Sequence, residues 1–294
     1  MKDDQASSTA YTVLQGVLFS ASKPAYDSLV SHEQQTACQR ILSASVEGQK
    51  RLKQLDSAAF RFMAPLLEGA MMPGITLHYV LRKRFIRDAV EAAIADGYTQ
   101  VVNLGAGFDT LAWELHSLHS NVNFIELDHP ATNAQKSKAL FDQSPNNFHL
   151  LAVDFSQTDA REALQSFPEF DADRKTFFIC EGVLMYLERP DIDRLFDGLK
   201  QLTGVGTRFV FTAVAPMDSV DSNTGWLLRL YLKFKAEPLN WALEQKDLAA
   251  FVQEQGYRLE DMAGTDQLRQ RYLQGVDHGT LHHGEYLALT TAEA

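Results

Sequence analysis

The stretch Val101-Val102-Asn103-Leu104-Gly105-Ala106-Gly107-Phe108-Asp109-Thr110 decides how the rest of the chain is read. A short apolar run enters a turn with two glycines, and a helical pattern follows. Glycine tolerates positive φ and lets a ligand approach the backbone, while the first turn of the helix beyond presents unpaired N–H groups. This order of strand, glycine turn and helix marks a nucleotide-type cofactor site. A dinucleotide fingerprint requires glycine at the first, third and sixth positions; here the sixth is Thr110, which disfavours a pyrophosphate. The shorter G-x-G turn suits a cofactor without phosphates, such as S-adenosylmethionine. Two glycines in such a turn also arise for steric reasons alone, so the neighbouring segments have to discriminate.

Upstream, from Thr12 to about Ala95, apolar residues recur at three- and four-residue intervals (Leu14, Val17, Leu18; Phe60, Met63, Leu66, Leu67), which predicts helices. Pro73 and Gly74 should end one of them before Leu77 to Ala95 forms the next. Downstream of Gly97 the texture alternates. Strands are predicted at Gln100 to Leu104, Val122 to Leu127, Phe148 to Val153, Thr176 to Cys180, Arg208 to Val214, Tyr257 to Met262 and Tyr286 to Thr290. Helical patterns at Leu111 to Leu118, Pro130 to Phe141, Ala160 to Phe167 and Ile192 to Leu202 separate the first five, which implies right-handed βαβ units and a mostly parallel sheet. No crossover helix is evident between the last two strands, so they are expected to form an antiparallel hairpin at the sheet edge. The expected organisation is an α/β, Rossmann-like sheet of seven strands with an antiparallel last member. Residues 1–95 form an N-terminal helical cap and 96–294 the core.

Ligands of such sheets sit at the carboxyl ends of the strands. Strand two ends in Glu126-Leu127-Asp128-His129-Pro130, and an acid there can accept both ribose hydroxyls of a nucleoside. Glu126 and Asp128 share a side by period two; Asp128 is preferred because it lies nearer the carboxyl end, although it equally suits a helix cap. Strand three ends in Asp154-Phe155, an acid to accept from an adenine amino group and an aromatic to cover the ring, unless Asp154 caps the next helix. Glu181 follows the apolar fourth strand and needs a partner there, either the ammonium of a methionine-like cofactor or Arg82 or Arg84. Those arginines stand two apart in Arg82-Lys83-Arg84-Phe85-Ile86-Arg87-Asp88, so at most one reaches the pocket, and Arg82 is preferred. A run of four cations otherwise reads as a solvated helix face. Tyr186 suits either orientation of an acceptor or core packing. Residues 215–243 carry Trp226, Tyr231, Phe234 and Trp241 past the fifth strand, placed either to cover a ligand or to complete the core. Arg229 and Lys233 in this insertion are cations for an anionic substrate or plain surface residues.

Together Arg82 to Asp88, Val102 to Thr110, Phe124 to Pro130 and Cys180-Glu181-Gly182-Val183-Leu184-Met185-Tyr186-Leu187 resemble the leucine carboxyl methyltransferase family over roughly Tyr79 to Val214. The resemblance implies a class I methyltransferase using S-adenosylmethionine. It implies Arg82 on the methionine carboxylate, Gly105 at the turn, Asp128 on the ribose, Asp154 near adenine, and Glu181 by the methionine amine. The methyl acceptors it implies are carboxylates. The expected activity is O-methylation of a carboxylate or hydroxyl of a small metabolite, with Tyr186 orienting the acceptor. The alternatives are methylation of a protein's C-terminal carboxylate, an NAD(P) oxidoreductase, or a protein that binds the cofactor without turnover.

Composition bounds the partners. The chain has 294 residues, 45% hydrophobic, and a formal charge of -11, which argues against nucleic acid or an anionic membrane as the main partner. Cys38 and Cys180 have no zinc-type spacing. His278, His282 and His283 are spaced for a metal on a helix, but Gly279 and Gly284 suggest a loop and no metal is expected. Without an apolar leader or an 18-residue apolar run, the expected protein is cytoplasmic, a monomer or weak homodimer.

Overall fold

The computed structural model describes residues 7–141, 145–204, 206–224 and 239–293. The N-terminal region is helical: α1 (Ser8–Ala21), α2 (His32–Ser43), α3 (Val46–Asp56), α4 (Ala58–Met71) and α5 (Ile75–Ala95). A serine caps each of the first four, with Ser7, Ser31, Ser45 and Ser57 accepting the backbone N–H of the third residue of the helix. Gly74, at φ +80°, makes the stop between α4 and α5, and a Cβ there would meet the backbone nitrogen of His282 at 2.4 Å. Helix α4 forms as its periodicity predicts but buries none of its residues, leaving Phe62, Met63, Leu66 and Leu67 exposed.

The strands are β1 (Gln100–Leu104), β2 (Asn123–Asp128), β3 (Phe148–Ala152), β4 (Thr176–Cys180), β5 (Arg208–Val214), β6 (Tyr257–Ala263) and β7 (Glu285–Ala292). They form one sheet in the order β3-β2-β1-β4-β5-β7-β6. The first five run parallel, and β7 runs antiparallel to both β5 and β6. Between them lie α6 (Leu111–Leu115), α7 (Pro130–Leu140), α8 (Ala160–Gln165), α9 (Arg189–Thr203), α10 (Leu248–Glu254) and α11 (Thr265–Tyr272).

Period two divides the core into two layers. Val101, Phe124, Phe177, Ile179 and Val210 face the layer that α1, α2 and α5 cover, whereas Val102, Ile125, Phe178, Phe209 and Phe211 face the α9 and α10 side. The final pair departs from a simple edge hairpin. β7 lies inside, between β5 and β6, and α11 intervenes, its first turn tied down by Gln267 Oε1 accepting from Gly264 N at 3.2 Å. This helix is short, and its lone buried residue, Leu268, leaves little apolar period to read.

Candidate active site

A cavity of about 750 Å³ opens at the carboxyl ends of β1 to β4 and is walled on its other side by α1 and the start of α5. Arg82, Gly105, Gly107, Asp128, Asp154, Phe155, Glu181 and Tyr186 all line it. Gly105 takes φ +66°, and a Cβ there would stand 2.6 Å from Val183 Cγ2. Gly107, at φ +53°, turns its N–H toward Asp128 Oδ2 at 2.6 Å, while His129 N donates to the other oxygen at 2.8 Å. Two backbone donors thus fix this carboxylate at the cavity wall and leave each oxygen a lone pair for a ligand.

Glu126 goes elsewhere despite sharing a strand side with Asp128. It is fully buried and ion-paired with Lys136 of α7, still inside the sheet, whereas Asp128 is the last residue of β2 and clears its edge. Burial pushes the Glu126 carboxyl up to about 7, against the pull of Lys136.

Asp154 does not cap the next helix; it lines the cavity with its carboxylate held from within its own loop. Its carboxylate accepts from Ser156 N and Oγ at 3.0 and 2.7 Å and from Gln157 Nε2 at 3.0 Å, a local Asx turn at the cavity rim. These bonds, that from the Ser156 hydroxyl foremost, hold its carboxyl below the usual range. The cap of α8 is Asp159. Tyr186 is 39% exposed on the wall, so core packing is not its job.

The floor is a layer of buried charge. Arg82 donates from Nε to Glu181 Oε1 at 2.7 Å and from Nη1 to both oxygens of Glu285 at 3.0 and 2.8 Å, with the Tyr79 ring 4.9 Å from its guanidinium. Lys83 donates to Asp109 Oδ1 at 2.7 Å and Glu181 Oε2 at 3.2 Å, and Asn103 Nδ2 holds the other Asp109 oxygen at 3.1 Å. The cation run is therefore no solvated face: Arg82 and Lys83 point inward, while Arg84 lies 4.0 Å from Asp88 at the surface. Burial alone would raise the Glu285 carboxyl; the Arg82 guanidinium outweighs it and holds this acid well below the carboxylate range. His78 Nε2 stands 2.9 Å from Glu285 Oε2. Burial, with His78 nearby, lowers the His282 imidazole to about 3, so it is neutral.

Lys83, Asp109, Glu285 and His78 were not among the residues the sequence marks for the site, and His282 was marked only as a metal candidate. The signal for Glu285 was present, because the first residue of a reversed strand lies at the same rim as the last residues of its parallel neighbours, as its pairing with Val214 shows. His78 and Arg82, and likewise Tyr79 and Lys83, stand four apart on adjacent stripes of α5. Of the insertion, Trp226, Arg229, Tyr231, Lys233 and Phe234 lie outside the described residues. Trp241 packs on Phe251 with ring centres 5.3 Å apart, in the core rather than over the cavity. Among the described residues no three metal-binding side chains converge. None of the described helices is long and apolar enough to cross a membrane.

A seven-stranded sheet with β7 reversed between β5 and β6, holding its cavity at the strand ends, is the architecture of a class I methyltransferase. The structure of a "putative methyltransferase" from Thermobifida fusca overlays on it with a TM-score of 0.59 at 17% identity, covering 87% of this chain and 94% of that one. The family model of leucine carboxyl methyltransferases matches residues 24–200. The chain belongs to that family and is an S-adenosylmethionine-dependent methyltransferase, which removes the oxidoreductase alternative. A "Putative S-adenosyl-L-methionine-dependent methyltransferase" of Mycobacteroides abscessus is 30% identical over 69% of this chain and 70% of its own length. The "Probable leucine carboxyl methyltransferase 1" of Caenorhabditis briggsae is 28% identical over 46% of this chain, a match that spans only 49% of the worm protein.

Proposed function

We propose that this protein methylates an oxygen of a small metabolite, with a carboxylate the acceptor of choice, and that the cavity holds both donor and acceptor. The observation that carries this reading is the convergence of Gly105, Gly107, Asp128 and Glu181 on one cavity at the strand ends. The residues fit the donor: the side-chain-free turn admits a ligand against the backbone, and the volume falls within the range of about 300–1,000 Å³ usual for small-molecule sites. When bound, S-adenosylmethionine supplies a methyl group already activated by the sulfonium charge.

Asp128, held by Gly107 and His129, offers its remaining lone pairs to the ribose hydroxyls. Asp154 and Phe155 flank the adenine position. Glu181 faces the methionine ammonium. Arg82 Nη2, which makes no hydrogen bond among the described residues, is the donor left for the methionine carboxylate. Tyr186 stands on the wall to orient the acceptor. An ionised carboxylate needs no general base, so the protein's task is to align the reactants and exclude water. In this reading residues 1–95 form the cap, with α1 and α5 as its contact with the cavity.

Titration calorimetry with S-adenosylmethionine, S-adenosylhomocysteine and NAD, followed by transfer of labelled methyl to a panel of acids and phenols, tests the proposal. Heat with the first two and base-labile label on an acid support it. Heat with NAD alone, or label only on nitrogen acceptors, overturns it.

A further inference from the structure

We infer that the acceptor is an apolar molecule with a single carboxylate, its hydrocarbon body lying against the α1 and α5 side of the cavity; this rests on the methyl-transfer reading above. The two sides of the cavity differ in kind. All five lining carboxylates, Asp109, Asp128, Asp154, Glu181 and Glu285, stand on the sheet side, and the two fixed cations of the lining, Arg82 and Lys83, reach across from α5 and are both already ion-paired to them. The opposite side carries no formal charge among the described residues of α1 and of α5 before Arg82: Thr9, Ala10, Val13 and Leu14 from α1 and Ile75 and Tyr79 from α5, mostly apolar, with hydroxyls only on Thr9 and Tyr79. Met72 and Met185 extend this surface, and unbranched methionine adapts to ligands of varied shape.

A molecule in the acceptor half therefore meets hydrocarbon along its length and an excess of negative charge at its reacting end. One carboxylate is tolerated because the sulfonium offsets it and because the reaction removes its charge. An oxygen lone pair of the acid forms the new O–CH3 bond as the C–S bond breaks toward sulfur, giving a neutral ester and a neutral thioether with no proton moved. A second carboxylate at the far end has no such compensation and would sit unpaired against the apolar side.

The test is methyl transfer to butanoate, octanoate and dodecanoate and to the matched α,ω-dicarboxylates, with donor binding measured separately by calorimetry. The expected result is that kcat/KM rises about threefold to fourfold per methylene until the cavity is filled, the worth of one buried methylene. Each dicarboxylate should fall at least about tenfold below its monoacid. Val13→Asp should cost octanoate at least about tenfold in kcat/KM while S-adenosylmethionine affinity stays within about threefold; Ile75→Asp is the second variant should the first not fold. A flat chain-length series, dicarboxylates as good as monoacids, or donor binding with no ester formed from any of these acids overturns the inference and leaves the methyl-donor reading standing. Absence of donor binding in the unaltered protein removes that reading, and the inference with it.

Discussion

Glu285→Gln probes the buried charge layer with the least change of shape. Glu285 is 4% exposed and takes Arg82 Nη1 on both oxygens at 3.0 and 2.8 Å. The amide keeps one acceptor but loses the charge, and leaves Arg82 with Glu181 as its only carboxylate partner among the described residues. Breaking a buried ion pair outright costs about 3–5 kcal/mol; the isostere retains part of the contact, so we expect a loss of about 2–4 kcal/mol at pH 7. At roughly 2 °C per kcal/mol for a domain of this size, the melting temperature should drop by about 4–8 °C. The pH dependence carries the sharper test. An acid held below its usual value contributes stability that is present above its unfolded pKa of 4.5 and is lost as pH falls toward the folded value. The variant lacks that contribution, so the gap between the two proteins should narrow progressively below about pH 4.5. Thermal unfolding followed by circular dichroism from pH 3.5 to 8 measures it. A gap under 1 °C at pH 7, or one that stays constant or widens toward acid, would refute the assignment of Glu285 as the ionised partner of Arg82.

Further expectations concern single residues. Asp128→Ala should weaken S-adenosylmethionine binding by about 1–3 kcal/mol in calorimetry, the cost of unmatched hydrogen-bond partners; unchanged affinity would take the ribose role from it. Gly105→Ala at φ +66° should cost about 1–2 kcal/mol in backbone strain plus about 1–3 for the 2.6 Å contact with Val183, whereas Gly97→Ala, at φ +86° in open space, should show the strain alone; equal urea-unfolding losses would sink the packing argument. Lys136→Met leaves Glu126 buried without its cation and should destabilise by about 3–5 kcal/mol at pH 8. Burial already holds Glu126 near 7, so protonation relieves the penalty as pH falls, and urea unfolding at pH 5.5 should show a markedly smaller loss. His282, buried and neutral with its pKa lowered to about 3, contributes stability present above its unfolded value of 6.5 and lost as pH falls below it; a substitution by Phe should therefore flatten the melting curve between pH 6.5 and 4.

What was legible in the sequence follows from how local each signal is. Strands β1, β4 and β5 fall at their predicted bounds because each is a short, mostly apolar run rich in Val, Phe and Ile between turn residues, and a strand covered on both faces needs little else to announce it. Asp128 was favoured over Glu126 by position along a strand, a one-dimensional property. Glu181, though 99 residues from Arg82, was readable as its partner because a carboxylate at the end of a buried strand needs one; Glu285, 203 residues away, was not, and only the closed sheet brings it to the same guanidinium. The exposed face of α4 was equally hidden, since periodicity reports that a helix has an apolar stripe and not whether anything lies against it. Helix α6 stops at Leu115, three residues short of its predicted end, where the turn instead brings Asn147 Nδ2 to the carbonyls of His116 and His119 at 2.9 and 3.2 Å.

The reversal of β7 and the charge layer explain each other. An apolar replacement of a buried ion pair is often as stable or more so, so Arg82, Lys83, Asp109, Glu181 and Glu285 are poorly justified as fold stabilisers. They are well justified as a polar floor beneath a cavity, and the fold has few places from which a third carboxylate could reach that floor. β4 contributes Glu181 just past its end, and the loop after β1 contributes Asp109. A seventh strand running parallel would bring its first residue to the opposite rim, about 25 Å away over eight residues. Running antiparallel against β5, it sets Glu285 opposite Val214 at the carboxyl rim, within reach of the same arginine. Topology and electrostatics thus have one solution in common, and the strand that looks anomalous in a parallel sheet is the one that completes the site.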